Sequence, residues 1–155
     1  MAFLSSMNIT GSGMTAQQLR LDVISENVSN INTTRVEGGD GPYRRKMVVM
    51  EADGGRDSFW EVLARAAGNL PQATGNLSEN GGVRVTQIVE DQSALKVMYD
   101  PTHPDANAQG YVELPNVDLV KEITDAMAAT QAFSANVTAF NTLKTVATRA
   151  LDIGK

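Results

Sequence analysis

The chain has 155 residues, 42% of them apolar and only 5% aromatic, so it suits one ordinary domain with a modest core. It contains no cysteine, which excludes a disulfide framework and any cysteine-based zinc or redox site. The net charge of −5 sits entirely in the middle: residues 1–35 and 117–155 each balance to zero, whereas 36–116 carries 12 acids and seven bases.

The first predicted element is a helix within residues 1–35. Met14, Gln17, Leu21, Ile24, Val28 and Ile31 recur at alternating three- and four-residue spacings, a heptad row interrupted only by Gln17. Thr15 and Gln18 have the spacing of a capping box, and Gly11 and Gly13 suggest a bend before it. The helix should fade near Asn30–Thr34. The first 19 residues hold no charged side chain and Ala2-Phe3-Leu4 is too short an apolar core for a signal peptide, so no cleaved leader is expected.

The middle, 36–116, reads as short strands and loops. Tyr43–Met50, Val83–Thr86 and Leu95–Tyr99 alternate like strands, and Asp91-Gln92-Ser93 offers a turn that would pair the last two as a hairpin. Phe59, Val62, Leu63 and Ala66 suggest a short helix at 58–68. Glu37–Pro42, Asp53–Arg56 and Pro71–Gly82 are Gly/Asn-rich loops.

The last element, 117–155, is a long helix capped by Asn116. Leu119, Ile123, Ala126, Thr130, Phe133, Val137 and Phe140 keep a heptad spacing, and Leu143, Val146, Ala150 and Ile153 continue it on a shifted row. Asp118 and Glu122 near its start complement the helix dipole. Its length would be roughly 55 Å. Residues 126–143 carry no charge over 18 positions, where a solvent-facing helix normally shows Lys and Glu. Six alanines and seven polar residues in that stretch suit close helix packing better than lipid, and no run reaches the length of a membrane span. One helix from the same chain covers only part of such a surface, so other protein copies are expected to cover the rest. The expected fold is therefore mainly α with a small β insert: long N- and C-terminal helices packed as a coiled-coil-like pair around a short-stranded middle.

Several motifs suggest chemistry that their context does not support. Gly11 to Ala16 fits a dinucleotide-binding pattern but lacks the preceding strand, so no cofactor is expected. His103, the sole histidine, sits between Pro101 and Pro104 with no second ligand, so no metal site is expected. Arg44-Arg45-Lys46, on an alternating strand in an acidic chain, is a weak nucleic-acid footprint, and Arg45 is expected to face away from its neighbours. The sequons at Asn8, Asn27, Asn32, Asn76 and Asn136 read as incidental. An enzyme acting on the cell wall would need paired carboxylates, and the middle offers only loop acids such as Asp53, Asp57 and Glu61.

Ser12 to Arg20 followed by Asn27-Val28-Ser29-Asn30-Ile31-Asn32-Thr33 resembles the N-terminal signature of the flagellar rod and hook proteins. Gly41-Pro42-Tyr43-Arg44-Arg45-Lys46, Tyr99 to Asp105, Gly110-Tyr111-Val112 and Pro115-Asn116-Val117 are similar to the proximal-rod members in order and spacing, as are Ala135-Asn136-Val137 and Ala150 to Ile153. The alternative is another axial protein, such as a different rod subunit or a hook-junction protein. The resemblance implies a non-enzymatic structural subunit of the proximal rod, exported by the flagellar type III apparatus. It implies partners among other rod proteins, copies of itself and the adaptor joining the rod to the membrane ring. The assembly interface is then expected on the two heptad rows: Met14, Leu21, Ile24, Val28 and Ile31, with Leu119, Ile123, Ala126, Thr130, Phe133, Val137, Phe140, Leu143, Val146, Ala150 and Ile153.

Overall fold

The computed structural model describes residues 2–36, 41–53 and 81–153. In chain order they form helix α1 (Ala2–Ser29), strands β1 (Lys46–Ala52), β2 (Val83–Glu90), β3 (Lys96–Tyr99) and β4 (Tyr111–Leu114), and helix α2 (Leu119–Ile153). Two long helices with a small β middle are the expected fold. The described residues fall into two compact units. One contains residues 2–16, 50–53, 81–85 and 132–153; the other contains 17–36, 41–49 and 86–131.

α1 is continuous through Gly11 and Gly13, so the expected bend is absent. Glycine in a helix interior costs about 1 kcal/mol relative to alanine, and Gly13 has a packing reason to be there. A Cβ on it would lie 3.0 Å from Asn136 Nδ2 and 3.2 Å from its Cγ. Thr15 is not a cap either. It lies inside the helix, where its hydroxyl donates to the Gly11 carbonyl at 3.1 Å. The helix ends at Ser29, where Asn30 turns the chain: its Nδ2 donates to the Glu26 carbonyl and its Oδ1 accepts from the Thr33 hydroxyl.

β1 and β2 pair with each other. Asp91 N–H donates to the Arg45 carbonyl at 2.7 Å and Asp53 N–H to that of Gly82 at 2.8 Å, so the strands run antiparallel. β3 pairs antiparallel with β4, Lys96 opposite Leu114 and Tyr99 opposite Tyr111. The expected hairpin between 83–90 and 94–99 is therefore not formed. Asp91 is held to Arg45 through its amide, while its carboxylate accepts from Ser93 N–H at 2.9 Å. The chain leaves β1 there and takes β4 as its new partner. The expected helix at 58–68 lies outside the described residues.

A tight loop joins β3 to β4. Asp100 Oδ1 accepts from the Thr102 amide and hydroxyl, which holds its carboxyl below the usual range. Gly110 adopts φ 81°, and a Cβ there would stand 3.0 Å from the Tyr99 ring, so the turn needs glycine. Tyr99 and Tyr111 meet edge to face with centroids 5.2 Å apart. His103 Nδ1 accepts from Asp105 N–H, a role within the loop. The Asp105 carboxylate in turn accepts from the Thr34 hydroxyl at 2.8 Å and from Arg35, tying the loop to the segment leaving α1. The Thr34 hydrogen bond is the main cause of the lowered Asp105 pKa.

α2 starts two residues later than expected. Asp118, not Asn116, caps it: Val120 N–H donates to Asp118 Oδ1 at 3.0 Å and Glu122 N–H to the Asp118 carbonyl at 2.9 Å. Asn116 instead works between strands. Its Oδ1 accepts from Arg45 N–H at 2.8 Å and its Nδ2 donates to the Asp91 carbonyl at 3.0 Å. Val112, Pro115 and Val117, on the same stretch of chain, are buried.

A buried polar cluster and the outer face of the C-terminal helix

Within the unit of residues 17–49 and 86–131, α1 runs antiparallel to α2. Arg20 meets Asp125 at 3.3 Å, whereas Asn27, further along α1, meets Glu122, further back along α2. The apolar side chains buried by the helices here are few and small: Val23 and Ile24 on α1, Ala129 on α2. The distinctive contacts are polar.

Asn27 is 1% exposed and uses its full hydrogen-bonding capacity. Its Nδ2 donates to the Lys46 carbonyl at 2.9 Å and to Glu122 Oε2 at 3.1 Å. Its Oδ1 accepts from Lys46 N–H and from the Tyr43 hydroxyl, both at 2.9 Å. The amide thus pairs with the backbone of β1's first residue as a neighbouring strand would. Glu122 is fully buried and its Oε1 accepts from Arg45 Nε at 2.5 Å. Arg45 also bonds Asp125 at 3.1 Å and approaches Asp91 at 4.0 Å. The ring of Tyr43 carries the Lys46 ammonium 5.5 Å from its centroid. Burial, with help from the charges of Glu26, Glu122 and Glu90, pushes the Tyr43 hydroxyl up to about 12. Two hydrogen bonds from Ser93 are the largest causes holding the Asp91 carboxyl below its ordinary range.

Sequence reasoning missed this cluster. Arg45, expected to face away from Arg44 and Lys46, is 7% exposed, because the acids of α2 draw it inward across the start of β1; its ion pair was not foreseen. Glu122 was read as a dipole partner and Asn27 as an incidental sequon. The available signal was their membership in the quoted motifs, Asn27-Val28-Ser29 and Tyr43-Arg44-Arg45.

The expected interface residues divide between two faces. Ile24 is buried, and Met14, Leu21, Val28, Ile31, Ala126, Phe133, Val137, Phe140 and Leu143 are half-buried. Leu119, Ile123, Thr130, Val146 and Ala150 are exposed; Ile153 ends α2. In the unit holding residues 132–153, the half-buried face of α2 is made by Ala132, Phe133, Asn136, Val137, Phe140, Leu143 and Ala147. The outward side of α2 is a nearly uncharged strip, including Ile123, Met127, Thr130, Ser134, Thr138, Thr142 and Val146, all exposed. Met127 is 68% exposed. Threonine hydroxyls along this helix donate to the carbonyl four residues back, as at Thr130, Thr138, Thr142, Thr145 and Thr148, with distances of 2.8–3.0 Å. Their donors are therefore used internally. What they offer a neighbour is a methyl group and a weak acceptor.

Among the described residues no cluster of His, Cys, Asp and Glu could hold a metal ion, and no helix is long and apolar enough to cross a membrane. Asp53 ends β1 with its amide on Gly82; Asp57 and Glu61 lie outside the described residues.

Two family models place the chain in a class. "Flagella basal body rod protein" matches residues 7–35, most of α1 and its exit, and "Flagellar basal body rod FlgEFG protein C-terminal" matches 108–153, from β4 through α2. These are the two segments that meet at Asn27 and Glu122, in a structural subunit of the flagellar basal-body rod. Whole-chain relatives narrow it further. The flagellar basal-body rod protein FlgC of Bacillus subtilis is 44% identical over all of both chains. That of Borreliella burgdorferi is 41% identical over 99% of this chain and 98% of its own, and that of Salmonella typhimurium 38% identical over all of both. The chain belongs to the FlgC family of flagellar basal-body rod proteins. Full-length similarity favours this family over the other axial proteins that share the N-terminal signature. Membership implies assembly with other rod proteins.

Proposed function

We propose that this subunit assembles helically through α1 and α2, meeting copies of itself and other rod proteins, with the adaptor between rod and membrane ring as a further neighbour. The observation that carries this is the outward strip of α2. A helix of 35 residues with threonine, serine and asparagine on its solvent side gains little from intrinsic propensity. It also lacks the charges that keep exposed helices apart. The uncharged N-terminal half of α1, exposing Asn8, Ile9 and Thr15, offers the same kind of surface. Neutral, methyl-rich faces of this kind pack closely against each other without desolvating charge.

On this reading residues 1–35 and 117–155 are the assembly segments, and 36–116 is the outward region that sets spacing. Many interlocked helices resist shear together, which is how a drive shaft transmits torque. The subunit reaches the periplasm-spanning rod through the flagellar type III export apparatus without a cleaved signal, and it catalyses nothing.

The test is the pair Thr130→Lys and Thr138→Lys. Lysine is the better helix former and both sites are exposed, so the purified chain should keep its helix content and melting temperature. Cells carrying the pair should lack assembled rods and swimming. Normal rods in that strain would contradict the assembly reading.

A further inference from the structure

In the unit that contains the buried cluster, the helix pair buries few apolar residues with which to fix its alignment. Val23, Ile24 and Ala129 are buried and Ala126 is half-buried. An axial slip of α2 by one helical turn, about 5.4 Å, puts Thr130 or Glu122 in the place of Ala126 and Phe133 or Asp125 in the place of the buried Ala129. The polar contacts are more exacting still. A slip of α2 by one turn brings Asp118, whose carboxylate caps the helix, or Ala126 to the place of Glu122. Arg45 Nε and one amide hydrogen of Asn27 then lose their acceptor in a site closed to water.

We propose that Asn27, Arg45 and Glu122 are a register lock. They are positioning residues that fix α1 against α2 and so decide which residues of α2 are presented to neighbouring subunits. Asn27 reads the backbone of Lys46 with two hydrogen bonds and the Glu122 carboxylate with a third. Arg45 grips the other oxygen of the same carboxylate while its own amide is held by Asn116. The start of β1, α1 and α2 are thereby keyed to a single carboxylate. A buried ion pair often contributes little net stability against apolar replacements, and its best-attested use is to specify register. The lock builds on the assembly reading, since it governs how the surface is presented, but it is read on the isolated chain.

Because the protein has no cysteine, spin labels can be placed cleanly at Ser25→Cys on α1 and Ala128→Cys on α2, both exposed. The distance between them in the full-length chain should be single and narrow. In Arg45→Met/Glu122→Leu, the melting temperature should stay within about 5 °C of the parent, while the distances split or shift by about one turn, 5.4 Å. Should that variant fail to fold, Glu122→Ala/Ala126→Glu decides the matter. It moves the carboxylate one turn along α2 without changing composition, and α2 should slide to follow it. An unshifted, single distance in a folded form of either variant would overturn the lock. The assembly surface itself would be untouched by that result, because it is read on rods from Thr130 and Thr138.

Discussion

The two helices are joined by different chemistry in the two units. Where residues 17–29 of α1 face 119–131 of α2, the joint is a saturated asparagine, Asn27, on the buried Glu122, whose carboxylate also pairs with Arg45 at the entry to β1. In the unit of residues 2–16 and 132–153 the named contact is a glycine giving room to an asparagine, Gly13 beneath Asn136. The first kind of joint is costly to break and fixes one geometry, because charges buried without partners are penalised heavily. The second is neutral, close and tolerant, and it belongs to helices whose outer faces are neutral too. A subunit that must hold its own shape and also accept neighbours has use for both.

The comparison breaks most visibly at Glu122. Glu122→Ala leaves the Arg45 guanidinium buried with its main acceptor gone, and urea unfolding should show a loss of about 3–5 kcal/mol. Asn27→Ala comes next. It orphans both backbone groups of Lys46 and the Tyr43 hydroxyl, at about 3 kcal/mol by the same measurement.

Tyr43→Phe should cost about 1 kcal/mol near neutral pH, the worth of one hydrogen bond, and should also change the alkaline limb. A folded-state pKa raised from 10.0 to about 12 means that the folded chain holds this proton more tightly than the unfolded one. The resulting stability is fully present below about pH 10 and is lost as pH rises toward 12. Unfolding curves at a series of alkaline pH values should therefore fall less steeply for the phenylalanine variant.

In the neutral unit the effects should be small. Gly13→Ala gains about 1 kcal/mol of helix propensity and spends it on displacing Asn136, so thermal melts should show little net change. Adding Asn136→Ala should release that gain. A gain of similar size is expected in the other unit at Gln17, whose Oε1 is buried without a partner. Gln17→Leu completes the apolar row and should stabilise the chain by up to about 1 kcal/mol.

Both terminal helices were legible in the sequence because heptad spacing survives over many turns, and the charge-free run at 126–143 pointed to packing partners beyond the chain. The strands were harder. β1 and β2 are separated by residues 53–82, with no short turn to announce their pairing, and β4 is only four residues long. The polar cluster was hidden for a different reason. An arginine beside a strand and a glutamate in a first helical turn each have an ordinary surface explanation. Only tertiary placement brings them to 2.5 Å of each other. Gly13 misled similarly: local propensity reads a glycine as a bend, whereas here a neighbouring side chain occupies the space.

The central claim is that the outer strip of α2 is solvent-facing in the monomer and covered in the rod. Single cysteines at Met127, Gln131 and Thr138, all exposed, in a chain with no other thiol, allow a direct measurement of reaction with a water-soluble maleimide. All three should label rapidly in the purified monomer and resist labelling in isolated basal bodies. Equal labelling rates in the two states would contradict the account.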